Sequence, residues 1–137
     1  MDTDLIKVIP DKQKAKSMLR MAGITLEMLN LIDIEKFPSN ITKEYYDVIR
    51  EFISIILLLD GYKIIGEGAH KRLIEYLKQN YREFSSKDVS VMDDLRIIRN
   101  KISYDGFFIK SDYIKRKLNN IGAIINKLRI IINKKLT

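Results

Sequence analysis

The chain has no cysteine and no tryptophan, and its only histidine is His70. Without cysteine there is no disulfide framework, no thiol nucleophile and no cysteine metal site. One histidine with no thiolate beside it cannot build a zinc centre, so neither a metal nor a cofactor is expected. Long hydrophobic runs are lacking as well. The longest, Ile55-Ile56-Leu57-Leu58-Leu59, is far too short to cross a bilayer. The N-terminal MDTDLIKVIPDKQ is charged and has no apolar core, unlike a signal peptide. Together these features point to a cytoplasmic protein with no membrane contact. The common catalytic motifs are missing: no Walker loop, no GxGxxG after a strand, no HExxH, no GxSxG. Gly61 and Gly66 have phosphate-loop spacing, but no Lys-Ser/Thr follows, and they read as helix-end glycines.

What is present is an ordinary globular composition, 46% hydrophobic and 31% charged over 137 residues. That is enough apolar material to offset the ordering entropy of one domain, 1–137. The net charge of +7 is unevenly placed. Residues 110–137 hold eight of the 25 lysines and arginines but only one of the 18 carboxylates, Asp112; the other charges cancel. A one-sided basic element suits nucleic acid or another polyanion. A solvated lysine-rich helix face is the plainer alternative.

Apolar spacing predicts five helices and no sheet. The first runs over 10–34, with Pro10 in its opening turn. After a connection at Phe37-Pro38-Ser39-Asn40, the second opens at Thr42 and ends at Asp60. It is apolar on nearly every side from Phe52 to Leu59, the mark of a central, buried helix. The third covers 68–83. The fourth covers Val89–Tyr104, with Ser90 and Asp93 as a capping pair. The fifth runs from Ser111 or Asp112 nearly to the end, along the heptad seam Ile114, Leu118, Ile121, Ile125, Leu128 and Ile132. Short connections favour an all-α, up-and-down antiparallel bundle of four to five helices. The second and fifth helices carry more apolar surface than one bundle needs, Ile124, Ile130 and Ile131 among it, which points to a homodimer.

The candidate site lies on the fourth helix. Its stripe Val91-Leu95-Ile98-Ile102 marks the core, and Arg99 falls roughly 60° off that line, at its border. Arg96 and Ser103 share its side, while Asn100 and Tyr104 face outward. Two arginines a turn apart suit phosphate or RNA backbone. The alternative is a helix-end network in which Arg99 pairs with a carboxylate. Lys115, Arg116 and Lys117 add a second possible anion surface. His70, in phase with Leu73, Ile74 and Leu77, is either a hydrogen-bonded, partly buried histidine or a pocket residue.

LRIIRNKISYDGFF, residues 95–108, resembles the signature helix of HEPN domains (higher eukaryotes and prokaryotes nucleotide-binding). That signature is an arginine, a polar follower such as asparagine, and a histidine four to six positions later. LLLDGYKIIGEGAHKRLIEYL, residues 57–77, is similar to the family's middle region, and helix order agrees over roughly 10–135. The resemblance implies a helical dimer with the motif helices near the two-fold axis. It also implies RNA or nucleotide binding, or metal-independent ribonuclease action as a toxin paired with a nucleotidyltransferase antitoxin. By position, Arg99 is the motif arginine, Asn100 its follower, and Tyr104 stands where a histidine would. Cleavage through the ribose 2′-hydroxyl needs a proton-transfer group that works near neutral pH, which imidazole provides and ordinary tyrosine does not. The expectation is therefore a binding domain for RNA, a nucleotide or a protein partner with little catalysis. A working ribonuclease and a structural dimerisation module are the alternatives. His70 replaces the missing histidine only in a fold that brings it to Arg99.

Overall fold

The computed structural model of the protein describes residues 3–137. Five helices form most of it: α1 (Lys12–Leu31), α2 (Pro38–Asp60), α3 (Ala69–Asn80), α4 (Ser86–Asp105) and α5 (Ser111–Leu136). Two short strands, β1 (Thr3–Lys7) and β2 (Tyr62–Gly66), pair antiparallel with Leu5 opposite Ile64. The helices pack against one another around α2, which touches all four others. Ile49, Phe52, Ile55 and Ile56 of α2 are fully buried, as a helix apolar on every side requires. No helix among the described residues is long and apolar enough to cross a membrane.

The local sequence explains the ends. Asp11 caps α1 by accepting the Lys14 amide at 2.9 Å. Pro38 occupies the first turn of α2, where its missing N–H costs nothing. Gly61 closes α2 in the left-handed region, at φ 89°, and its N–H bonds the carbonyls of Leu57 and Leu58. It also lets the N-terminal segment approach: a Cβ there would lie 3.3 Å from the Val8 carbonyl oxygen. Ala15, Ala22 and Leu29 recur every seventh residue as the buried stripe of α1, and the two alanines allow a close seat on α2. The α5 seam is buried at Ile114, Ile121, Ile125, Leu128 and Ile132, as its heptad spacing predicts.

Several expectations are corrected. The chain has a small sheet. Its strands lie far apart in sequence, so no hairpin turn announces them. α2 begins at Pro38, turning the expected connection into the first helical turn. α4 begins at Ser86, and its capping box is Ser85 with Asp88, one turn before the expected Ser90 and Asp93. α1 and α3 are each shorter than their apolar spacing suggests. The surplus apolar surface is largely internal: four helices enclose α2, and Ile124 and Ile131 are buried, leaving Ile130 half exposed.

Much of the basic charge on α5 fastens it to its neighbours. Lys115 pairs with Glu35, Lys117 with Asp94, Lys127 with Asp88 and Lys135 with Asp60. Asp60 is the densest of these junctions. Its carboxylate also accepts the hydroxyls of Tyr76 at 2.7 Å and Tyr81 at 2.6 Å. Burial and Asp60 together push both phenols well above the ordinary tyrosine value.

Candidate functional site

α2 carries Tyr46, Asp47 and Arg50 on successive turns. α4 carries Arg96, Arg99 and Ser103 at helical spacing, and α3 opens with Ala69 and His70. Because α2 packs on both α3 and α4, these side chains converge. The Arg99 Nε donates to Asp47 Oδ1 at 3.1 Å, across 52 residues of sequence. The same oxygen lies 3.9 Å from the Arg50 Nε, an ion pair too long for a hydrogen bond. Arg96 is held at 2.9 Å by Asp93, one turn before it. The Arg99 and Arg96 side chains are only 14% and 17% exposed, so both heads are partly withdrawn from water.

Three guanidiniums therefore share two carboxylates, and one positive charge is left over. The Arg50 Nε is buried with no hydrogen-bond partner among the described residues, and so is the Ser103 hydroxyl. Buried polar atoms are nearly always satisfied, so an orphaned guanidinium nitrogen marks unmet demand for an acceptor.

Two rings complete the cluster. Tyr46 packs on His70, with centroids 6.0 Å apart and planes tilted by 48°. Burial pushes the Tyr46 phenol up to about 12, against the opposing pull of Arg50, Arg96 and Arg99. It is a proton donor, not a base. His70 is moved the other way: burial first, then the charges of Arg50 and Arg99, hold its imidazole below the ordinary value of 6.5. It is neutral at pH 7 and free to accept a proton.

The fold thus brings His70 into one cluster with Arg99. His70 rests on Tyr46, and the adjacent Asp47 grips Arg99. The remaining candidates scatter. Asn100 is half-buried, and Tyr104 is 75% exposed at the end of α4. Lys115 and Lys117 are engaged in ion pairs, and Arg116 is exposed between them. Sequence reasoning missed Tyr46, Asp47 and Arg50. A signal was available: an acid and a base one turn apart on the helix destined for the core must find partners there.

Beside the cluster, a cavity of about 440 Å³ opens between α1, α2, α3 and β2, with Arg50 and His70 on its wall. Among the described residues, no group of three or more histidine or carboxylate side chains is placed to hold a metal ion. Compared with known protein families, with curated proteins and with solved structures, the chain matches none.

Proposed function

We propose that the protein is a HEPN-like helical domain that binds RNA or a nucleotide through phosphate, held at the guanidinium edge of α2 and α4. The observation that carries this reading is the charge excess at this edge: Arg50 and Arg99 share the one carboxylate of Asp47, and the Arg50 Nε gains no hydrogen bond from it. A phosphate oxygen supplies the acceptor that edge lacks. Labelled single-stranded RNA, titrated at increasing salt, tests it. Affinity should fall steeply with salt, because each phosphate contact releases counterions. Neutralising Lys115, Arg116 and Lys117 together should flatten the slope only by about the one contact Arg116 supplies, roughly 0.7 in log–log units. Salt-independent affinity would sink the phosphate reading.

The pH dependence has a defined sign. A histidine whose folded pKa is lowered contributes stability that is full above 6.5 and is lost as the pH falls through that value toward the folded pKa. A bound phosphate works the other way, because it favours imidazolium. RNA affinity should therefore rise as the pH falls from about 7.5 to about 5.5. Fluorescence anisotropy reads this directly, and His70→Gln should level the profile. A flat wild-type profile would remove His70 from the site.

A second reading, metal-independent ribonuclease, is favoured by the position of His70. A neutral imidazole there accepts the 2′-hydroxyl proton while the 2′-oxygen attacks phosphorus. Arg99 bears the charge that develops on the phosphate oxygens, and the departing 5′-oxygen takes its proton from water. If the protein is a toxin with a nucleotidyltransferase antitoxin, the exposed Tyr104 is open to modification by that partner.

The homodimer belongs to the same proposal, on a different surface from the one expected. Met21, Ile24, Met28 and Leu31 are exposed along α1 at spacings of three, four and three, a seam of the kind two helices share. Sedimentation should give a dimer at micromolar concentration, and Ile24→Glu with Met28→Glu should give the 16.1 kDa monomer. A wild type that sediments only as a monomer would rule the dimer out.

A further inference from the structure

The geometry points to a second binding site: the 440 Å³ cavity takes a small amphiphilic anion, a carboxylate or phosphate head on an aliphatic body of about eight carbons. The size lies within the roughly 300–1,000 Å³ of small-molecule pockets. Its walls are chiefly aliphatic, built from Met18 of α1, Leu57 and Leu58 of α2, Ile64 of β2 and Leu73 of α3. Such walls gain most from burying alkyl surface.

The polar part of the lining is cationic. Lys14, Lys63 and Arg50 meet there, with His70 beside them. The lone carboxylate, Asp11, is already bonded to the Lys14 amide as the α1 cap. The Arg50 side chain lines the cavity and is 30% exposed, and its ion-pair partner Asp47, 3.9 Å from Nε, is already bonded to Arg99, so an anionic head would meet a charge only partly balanced. Val8 and Ile9 line the cavity too, and the Val8 amide bonds the Gly61 carbonyl at 2.9 Å, which ties that segment down. An aliphatic chamber with a cationic mouth selects an amphiphile over a purely polar anion, which would leave the walls wet. This inference shares Arg50 and His70 with the RNA reading, but its aliphatic walls lie off the Arg96–Arg99 edge, so a substitution at Ser54 separates the two.

Calorimetric titration of the full chain tests it, with octanoate and octyl phosphate below their micelle concentrations, octanol as the neutral control, and AMP as the polar anion. At least one octyl anion should bind saturably with a Kd of roughly 0.1 mM, tenfold or more tighter than octanol. Whichever anion binds tighter identifies the head as carboxylate or phosphate ester. Ser54→Phe, which puts a ring into the cavity, should abolish octyl-anion binding and leave RNA affinity unchanged. Arg50→Gln should weaken the anion about tenfold and leave octanol as it was. The proposal is overturned by no saturation up to about 5 mM, by octanol binding as tightly as the anions, by AMP binding more tightly than either, or by both variants behaving as wild type. Loss of RNA binding with octyl-anion binding retained would overturn only the RNA reading.

Discussion

Asp60→Ala should lower the free energy of unfolding by about 2–3 kcal/mol, a large share of the stability of a domain this size. Asp60 ends α2, and its carboxylate, 15% exposed, binds Tyr76 on α3, Tyr81 just beyond α3 and Lys135 near the end of α5. Alanine strands the buried Tyr76 phenol, the half-buried Tyr81 phenol and an ammonium whose partner is gone, and an unmet buried group costs more than a typical hydrogen bond contributes. Lys135→Met should cost less than half as much, because it leaves the carboxylate both tyrosine donors and keeps an apolar stem over the Tyr81 ring. Urea unfolding measures both variants, provided the slope stays that of the wild type. A loss below about 0.5 kcal/mol for Asp60→Ala would mean water replaces the carboxylate freely and the junction holds little.

Arg99→Ala should weaken RNA binding by more than about twentyfold, the value of one charge-assisted contact to phosphate. The effect exceeds that of one lost contact because Asp47 would then be free to pair with Arg50 alone, drawing a second guanidinium from the ligand. Arg99→Lys should rescue little. The Arg99 Nε is the atom that holds Asp47, and an ammonium cannot grip a carboxylate and face phosphate as a planar fork does. Anisotropy gives the affinities, and circular dichroism verifies that the helices persist. Unchanged affinity in Arg99→Ala would take the arginine out of the site. One result would replace the binding reading with the ribonuclease reading: robust cleavage in excess chelator that disappears in Arg99→Ala and in His70→Ala while both stay folded.

The parts of this molecule that declare themselves in sequence are those whose cause is local. The α5 seam shows because Ile114, Ile121 and Leu128 sit a heptad apart, and α2 shows because Phe52 to Leu59 leave it almost no polar face. Arg99 reads as a border residue because one helix period fixes its angle to its own core stripe. The pairing of β1 with β2 left no such trace, since its register joins Leu5 to Ile64 with two whole helices between them in sequence. The partner of Arg99 was equally hidden. A carboxylate was one of the alternatives, but only the crossing of α2 with α4 selects Asp47. His70 could be placed on a helix face, yet its arrival beside Tyr46 depends on where α3 turns after the strand. The fourth helix misled at its start because Ser85-x-x-Asp88 and Ser90-x-x-Asp93 are both good caps, and the ion pair from Lys127 to Asp88 reinforces the earlier one.

The β1–β2 ladder gives the chain an order of events. The turns within each helix are close in sequence and can form quickly, whereas β1 must wait for β2 to be made and then close a loop of about sixty residues. Only five residue pairs repay that closure, on a two-stranded ribbon that is marginal by itself. β1 should therefore be the first element to detach in the folded protein, with its amides exchanging well before those of α2. Since Val8 and Ile9 line the cavity, each detachment also loosens one of its walls. The traffic of a small molecule in and out would then be timed by the breathing of a single edge strand, while the bundle beneath stays closed.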